Sequence, residues 1–264
     1  MTQKRLLHDE PIADKEEILV RGPAAHHLAT VMRVRRGERI EVRDGCGCAW
    51  LGEVVRLGSQ EVAVRRLDQQ NPSNESPLTL TVALGYARAE RMDLVLRQAT
   101  ELGVQRVVAF RAARSQYGLS GNQSSRRTQR WLRIAGEALR QCGRICLPEI
   151  EVLPNVGALF AKLHEWDLAG DDGLRIMAWE EEQRQGLLSM WEGRPHCSKV
   201  LLVVGPEGGF TPEEVEQFRF SGFLPVHLGP RTLRLETAAT ALIATTQLLW
   251  GDLARRVHDP GVYR

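Results

Sequence analysis

The first seventy residues alternate apolar and polar positions in short runs. ERIEVRDG (38–45), AWLGEVVRLG (49–58) and EVAVRRL (61–67) each show the period of two that is typical of strands, and Gly or Asp-Gly signals bound them. One helix is predicted to interrupt these strands over residues 23–32, with Pro23 in its first turn. The pattern predicts a small, strand-rich domain built from hairpins.

The pattern changes after residues 68–77, DQQNPSNESP, which are polar, contain two prolines and have no periodicity, as is typical of a linker. Beyond them, apolar runs alternate with helical periodicity, and no helix is predicted between residue 179 and Ser198. The predicted strands are 78–86, 104–110, 173–179, 199–205 and 226–229, and the predicted helices are 88–104, 127–143, one from Thr211, and about 235–253. This alternation predicts an α/β domain with a mainly parallel sheet, and we divide the chain into domains 1–72 and 73–264.

Length and composition are those of a globular protein. The chain has 264 residues, 43% of them hydrophobic and 26% charged, with a formal net charge of +2. Its longest aliphatic run is far shorter than the ~20 residues that a membrane helix needs. The amino terminus, MTQKRLLHDEPIADKEE, lacks the apolar core of a signal peptide. We therefore expect a cytoplasmic protein with no membrane partner.

The five cysteines do not form a recognisable metal motif. They lie at positions 46, 48, 142, 146 and 197, as one C-x-C and one C-x3-C without a second pair at zinc-finger spacing. These spacings favour reduced thiols that pack or tolerate exposure. No metal site is predicted.

The positive charge is concentrated in one segment. Residues 86–146 hold twelve arginines against four acids, a net charge of +8, which leaves −6 for the rest of the chain. Charge alone is equally compatible with a solvated helical face and with a surface that binds nucleic acid.

The stretch VVGPEGGF, residues 203–210, follows a buried strand at the place where open α/β sheets bind their ligands. Thr211, Pro212 and Glu214 then form the pattern of a capping box at the start of a helix. The loop is neither G-x-G-x-x-G nor a P-loop, no lysine follows it, and Glu207 would repel a phosphate. It is predicted to bring backbone amides close to a ligand that is not anionic there. The alternative is an ordinary turn that is rich in glycine.

A second loop, LGPRTLRLET (228–237), enters a helix that is apolar on nearly all sides and is therefore predicted to be buried. Burial of that helix would bring Arg231, Arg234 and Glu236 to the edge of the sheet, with Glu236 in the favourable first turn. Two interpretations stay open: Arg234 and Glu236 form a local ion pair, or they belong to a charged cluster in a ligand crevice.

Five fragments together resemble one family. GPEGG, LGPRTLRLETA, RAERMDLVLRQATELGV, QCGR at 141–144 and HHLATVMRVRRGERIEVRDG at 26–45 resemble the RsmE-type 16S ribosomal RNA (uracil-N3)-methyltransferases of the SPOUT superfamily. The resemblance implies a PUA-like RNA-binding β-barrel over 1–72 and a SPOUT methyltransferase domain with a deep trefoil knot over 73–264. It also implies a homodimer that uses S-adenosylmethionine on 16S ribosomal RNA, on the assembled small ribosomal subunit.

The family's cofactor site carries over by position, whereas the catalytic residues are a mechanistic hypothesis and the RNA-binding residues follow from the distribution of positive charge. The cofactor-binding residues would be Gly205, Pro206, Glu207, Gly208, Gly209, Leu228, Gly229, Arg231, Leu233 and Arg234. The chemistry would fall to Arg234 or Arg144, which would stabilise the uracil anion, and to Glu236 or Glu101, which would take the proton. RNA binding would fall to Arg33, Arg35, Arg36, Arg88, Arg91, Arg114, Arg126 and Arg127.

Two departures and several alternatives accompany this interpretation. Ala113 stands where the family commonly has a glutamate, and Arg97 stands where it commonly has a lysine. Glu101 shares a helix face with Gln98 and could border the crevice, or it could only pair with Arg97. Rival functions are a SPOUT methyltransferase for another nucleotide or for transfer RNA, an RNA-binding assembly factor without turnover and, least favoured, a nucleotide hydrolase.

Overall fold

The computed structural model describes residues 4–58, 60–70, 74–116, 122–166, 168 and 173–254. They form two compact units: the first runs through Glu75 and includes Gly136–Leu147, and the second comprises Ser76–Ala135 and the chain from Pro148 onwards. The predicted domain boundary falls within residues 71–73, which lie outside the described residues, and stays a prediction.

The first unit is built around a five-stranded sheet. Its strands are β1 (Arg5–Leu7), β2 (Glu17–Arg21), β3 (Arg39–Arg43), β4 (Ala49–Leu57) and β5 (Glu61–Gln70), in the order β1-β3-β4-β5-β2. All neighbours are antiparallel except β1 and β3. Alternate residues of β3 to β5, such as Ile40, Val54 and Val64, are fully buried, which confirms the predicted period-2 hairpins.

Two predicted features of the first unit need correction. The helix predicted over 23–32 is a short α-helix, α1 (Gly22–His26), followed by a π-helical turn, His27–Val31. The linker interpretation is wrong for residues 68–70, which end β5 and pair with residues 49–51 of β4. Cross-strand pairing overrides the weak strand propensity of Asp and Gln at the end of a ladder.

The second unit is a six-stranded sheet with helices between its strands. Its elements are β6 (Thr79–Gly85), α2 (Ala89–Glu101), β7 (Arg106–Phe110), α3 (Asn122–Cys142), β8 (Glu149–Leu153), α4 (Val156–Lys162), β9 (Gly173–Ala178), α5 (Leu187–Gly193), β10 (Lys199–Val204), α6 (Pro212–Phe220), β11 (Leu224–Val226) and α7 (Leu235–Leu249). The end of α3, from Gly136 onwards, belongs to the first unit. The order is β11-β9-β10-β6-β7-β8 and every pair is parallel, which confirms the predicted α/β domain. The central strands β6 and β10 read as apolar runs because both their faces are covered.

The segment before β10 contains a helix that the sequence interpretation excluded. Helix α5 spans only seven residues, and Leu187 and Met190 are its buried positions. It packs against α7. The polar residues on either side of it conceal so short a periodic pattern, and tertiary packing stabilises the helix.

The last elements shift relative to their predicted positions. The strand predicted over 226–229 overlaps β11 only at Val226, because β11 runs from Leu224 through Pro225 and ends at Val226. Proline is tolerated because β11 lies at the edge of the sheet. Helix α7 ends at Leu249, four residues earlier than predicted, with Trp250 as its C-cap. As predicted, α7 is largely buried; only Thr237 and Leu248 are exposed along it.

Candidate functional site

A cavity of about 720 Å³ opens in the second unit at the carboxyl ends of β9 and β10. Its walls come from three segments, 178–183 after β9, 204–209 after β10 and 227–235 before α7, with Arg91 of α2 and Ala238 of α7 completing it. The volume lies in the range of small-molecule sites, and the position is the one at which open parallel sheets bind ligands. The cavity is therefore the candidate site.

Close packing holds the glycine loop, residues 205–209, which forms one wall of the cavity. A Cβ atom at Gly85, the last residue of β6, would lie 2.4 Å from the backbone nitrogen and Cδ of Pro206. Gly209 has φ +68°, and a Cβ there would lie 2.5 Å from Glu180 Oε1. On the far side, the buried ring of Phe210 packs on Phe218 with centroids 5.1 Å apart. The glycines therefore give the loop the space and the backbone angles that its path requires.

The helix that follows the loop begins at the predicted capping box. Thr211 Oγ1 accepts a hydrogen bond from the backbone nitrogen of Glu214, and Glu214 Oε2 accepts one from the backbone nitrogen of Thr211. The other oxygen of Glu214 accepts a bond of 2.7 Å from the backbone nitrogen of Ala113. Glu214 thus joins the start of α6 to the loop after β7, which fixes where the glycine loop ends.

We expect Gly85→Ala to lower the free energy of unfolding by about 1–3 kcal/mol, because the new methyl group overlaps the Pro206 backbone. Chemical denaturation monitored by circular dichroism measures this change. Gly193→Ala is the matched control, since a Cβ at Gly193 meets no atom within 4 Å. Equal stability of the two variants would show that the loop does not depend on its close approach to β6.

An arginine joins two carboxylates beside the cavity. Arg91 Nη1 lies 3.1 Å from Glu207 Oε1, and Arg91 Nε lies 3.8 Å from Glu236 Oε2. The ion pair of Glu236 in the described chain is therefore with Arg91, and the interpretation as a local pair with Arg234 is wrong. Arg234 is the exposed N-cap residue of α7 and lines the cavity.

The two carboxylates retain capacity for a ligand. Glu207 Oε1 and Glu236 Oε2 are buried, and among the described residues neither has a hydrogen-bond partner. Their contacts with Arg91 are ion pairs without the alignment of a hydrogen bond. The two carboxylates and the guanidinium that they share carry a net charge of −1 together. This side of the cavity therefore attracts a cation or a hydrogen-bond donor.

Nine of the ten predicted cofactor residues line the cavity. The exception is Gly208, whose carbonyl accepts a hydrogen bond of 3.2 Å from Arg114 Nη1. A Cβ atom at Gly208 would lie 3.0 Å from Arg114 Cβ, so this glycine contacts the loop after β7. The assignment of all ten residues to cofactor binding stays a prediction.

The predicted catalytic residues fall in different places. Glu236 does not line the cavity and contacts Arg91, which does. Glu101 is exposed at the end of α2, and neither it nor Gln98 lines the cavity; Gln98 instead accepts a 2.7 Å hydrogen bond from Thr240. Arg144 lies in the first unit, 2% exposed, and its Nε donates to Glu75 Oε2 at 2.9 Å. Of the four predicted catalytic residues, Arg234 alone both lines the cavity and is exposed to an incoming substrate.

The predicted RNA-binding arginines are mostly exposed, with two exceptions. Arg33, Arg35 and Arg36 are exposed in the first unit, and Arg88, Arg114 and Arg126 are exposed in the second. Arg127 is half-buried on α3, and Arg91 lies in the cavity wall with its carboxylate partners. An RNA contact by Arg91 would compete with these ion pairs, and RNA binding by the whole set stays a prediction.

Sequence reasoning missed the wall that follows β9. Trp179, Glu180, Glu182 and Gln183 line the cavity there. Glu182 Oε1 accepts bonds from the backbone nitrogens of residues 183–185, and these bonds, with that of Arg184 first, lower the pKa of Glu182 below its ordinary value. The predicted strand 173–179 was the available signal, because its carboxyl end had to lie at the ligand edge of the sheet.

Comparison with known proteins identifies two families in the chain. Residues 74–247 match the model of an RNA methyltransferase domain, and residues 20–65 match that of an RNA methyltransferase PUA domain. The chain is 29% identical over 254 residues to ribosomal RNA small subunit methyltransferase E of Bacillus subtilis, a match that covers 93% of this chain and 97% of the relative.

Two solved structures resemble the fold over nearly its whole length. One is a ribosomal RNA small subunit methyltransferase E from Neisseria gonorrhoeae bound to S-adenosylmethionine, with 28% identity and a TM-score of 0.83. The other is a putative methyltransferase from Legionella pneumophila in complex with the same cofactor, with 27% identity and a TM-score of 0.83. Each match covers 96% of this chain and 100% of the other. These matches confirm the predicted methyltransferase fold and PUA domain, whereas the knot stays a prediction.

Proposed function

The chain belongs to the RNA methyltransferase family, and from this premise we propose that it transfers a methyl group from S-adenosylmethionine to N3 of a uridine in 16S ribosomal RNA. The observation that carries the proposal is the cavity at the ends of β9 and β10, with its glycine wall and its acidic side. Relatives of nearly the same length are described as small-subunit ribosomal RNA methyltransferases, which supports the substrate class.

The residues of the cavity fit this cofactor. When bound, S-adenosylmethionine supplies the methyl group and carries a positive charge on its sulfonium sulfur. The two loops 205–209 and 228–231 would hold it, because they offer backbone groups with few bulky side chains. The buried oxygen of Glu207 gives the cavity wall the negative charge that complements a cation. No phosphate needs to be held, which accounts for an acid in this loop.

In the proposed mechanism Arg234 stabilises the anion that forms on uracil. Loss of the N3 proton leaves negative charge on the flanking carbonyl oxygens, and a guanidinium placed beside them lowers the barrier by about 2.7–4 kcal/mol, by analogy with oxyanion holes. Arg234 lies at the cavity wall, exposed, at the start of a buried helix that fixes its backbone. Arg144 instead neutralises Glu75 within the first unit, so it supports structure.

Glu236 takes up the N3 proton through one water molecule in this mechanism. Its Oε2 atom is buried and accepts no hydrogen bond from the described residues, so a lone pair is available. Proton uptake removes the excess negative charge of the pair that shares Arg91. A positioned base of this kind contributes about 10²–10⁴-fold to the rate.

Glu207→Gln is expected to weaken binding of S-adenosylmethionine roughly tenfold and to leave binding of S-adenosylhomocysteine nearly unchanged. The product lacks the sulfonium charge, and a tenfold effect is the order expected for unit charges about 10 Å apart at an effective dielectric of 20. Calorimetric titration of both ligands gives the ratio of their dissociation constants. Glu213→Gln, at an exposed acid of α6, is the control. An equal loss for both ligands would mean that Glu207 does not recognise the charge.

The proposed partner is the small ribosomal subunit, and the proposed working state is a cytoplasmic homodimer. Among the described residues no helix is long and apolar enough to cross a bilayer. Helices α2 and α7 pack on each other, and each exposes a leucine, Leu94 and Leu248, which supports an interface between copies. The RNA methyltransferase PUA domain supports RNA as the substrate.

The test incubates the protein with labelled S-adenosylmethionine and small subunits that lack base methylation, in parallel with naked 16S RNA and transfer RNA. Digestion to nucleosides then identifies the product. N3-methyluridine formed on subunits alone supports the proposal in full. Label in another nucleoside or in transfer RNA would assign a different substrate. Cofactor binding without label on any RNA would indicate an RNA-binding protein without turnover.

A further inference from the structure

Two cysteines far apart in sequence lie opposite each other in the first unit. Cys46 and Cys146 are partners in an isolated antiparallel β-bridge. The backbone nitrogen of Gly47 donates to the carbonyl of Ile145 at 3.1 Å, and that of Leu147 donates to the carbonyl of Gly45 at 2.8 Å. The hydrogen bonds therefore flank the cysteines, which makes them a non-hydrogen-bonded pair. This is the closest register of antiparallel chains, with Cα atoms about 4.5 Å apart.

This register suits a disulfide bond. Disulfides span Cα separations of roughly 4.4–6.8 Å, and side chains at non-hydrogen-bonded positions lie on the same face. The sulfur of Cys146 lies close to the turn that carries Cys46, since a Cβ atom at Gly47 would lie 3.5 Å from Cys146 Sγ. Cys46 is exposed and Cys146 is half-buried, so a small reagent reaches the pair from the Cys46 side.

Two carboxylates hold the opposed segments in place. Asp44 Oδ1 accepts hydrogen bonds from the backbone nitrogens of Cys46 (2.8 Å) and Cys48 (3.0 Å). Glu75 Oε1 accepts them from the backbone nitrogens of Ile145 (2.8 Å) and Cys146 (3.0 Å). Because both backbones are anchored independently of the sulfurs, bond formation requires little rearrangement.

We propose that Cys46 and Cys146 form an oxidisable pair that closes to a disulfide by exchange with a low-molecular-weight disulfide such as oxidised glutathione. The bond would fasten the turn between β3 and β4 to the segment that carries Arg144. The inference depends on the first unit alone and is independent of the proposed methyl transfer.

The exchange balances in two steps. The Cys46 thiolate attacks one sulfur of the small disulfide, which breaks its S–S bond and releases one glutathione thiolate. Cys146 then attacks the Cys46 sulfur of the mixed disulfide and releases the second. Two protein thiols are oxidised, one small disulfide is reduced, and the two thiol protons pass to the two released thiolates. Burial, reinforced by the Glu75 carboxylate, raises the pKa of Cys146, so less of it is thiolate and the exposed Cys46 makes the first attack.

The test equilibrates the reduced full-length protein with defined ratios of oxidised to reduced glutathione, then alkylates the remaining thiols and maps the peptides. We expect loss of two alkylation sites and a peptide that links Cys46 to Cys146. Oxidation should raise the melting temperature by at least about 3 °C, because the bond closes a loop of about 100 residues. Cys142→Ser and Cys197→Ser should still lose two sites. Cys46→Ser should lose none, and Cys146→Ser should lose one, at Cys46, as an unresolved mixed disulfide with glutathione.

Three outcomes would overturn the proposal. They are a link between Cys46 and Cys48, a stable mixed disulfide at Cys46 in the wild-type protein, and full alkylation at every glutathione ratio. Circular dichroism of each serine variant separates loss of the link from loss of the fold. Cys46→Ser is the safer variant because Cys46 is exposed.

Discussion

Arg234→Ala is expected to lower kcat by about 10²–10³-fold with the cofactor at saturation, which corresponds to the roughly 2.7–4 kcal/mol that one preorganised donor contributes to an anionic transition state. Arg234 is exposed at the cavity wall, so the variant should remain folded. Single-turnover methylation of small subunits measures the chemical step without interference from product release. The kcat of Arg234→Lys should lie between those of the wild-type protein and Arg234→Ala, because lysine keeps the charge and loses the planar fork.

The control for Arg234 is Arg194→Ala, an exposed arginine after α5 that does not line the cavity. Arg144→Ala separates the two candidates for anion stabilisation. It should mainly lower the melting temperature, because it leaves Glu75 without its ion-pair partner. If Arg234→Ala turns over at a near-normal rate while folded Arg144→Ala does not, the roles proposed for these two residues are reversed.

Glu236→Gln is expected to slow methyl transfer by about 10²-fold or more, because the amide cannot accept the N3 proton. In the variant the proton must leave to solvent base, so the rate of the chemical step should rise about tenfold per pH unit as hydroxide increases. The wild-type rate should depend less steeply on pH, because its proton acceptor is part of the site. Pre-steady-state rates, measured over a pH range in which the small subunits stay intact, give both profiles.

Glu101→Gln tests the alternative base, and Glu192→Gln, at an exposed position of α5, is the neutral control. Because Glu101 is exposed and does not line the cavity, its replacement should leave the rate within about threefold of wild type, the scatter typical of surface changes. A large loss for Glu101→Gln with an unchanged pH profile for Glu236→Gln would transfer the role of base to α2.

Local sequence patterns determined most of the second unit. The apolar runs of β6 and β10 and the helical period of α2 are set by burial within single elements, so periodicity reveals them. The capping box at Thr211 satisfies backbone N–H groups at the start of α6 with side chains that lie within four residues of one another. Its pattern can therefore be recognised in the sequence. The glycine loop was recognised because its position after a buried strand is itself a sequence feature.

Other features depended on contacts between distant segments. Helix α5 is too short to be stable alone and packs against α7, and residues 68–70 form strand only because β4 pairs with them. The mechanistic hypothesis placed Arg144 among the catalytic candidates, and the structure pairs it with Glu75. Propensity and spacing carry no information on such pairings.

The sequence by itself determined the α/β class, the family and the two loops that wall the candidate site. Only the tertiary structure decided which charged groups meet there: Arg91, predicted as an RNA contact, lies between Glu207 and Glu236, and Cys146 lies opposite Cys46. The physical reason is that periodicity records the burial of one face of one element, which neighbouring residues specify. An ion pair or a β-bridge depends on how the chain returns to itself, and that path is set by the packing of the whole unit.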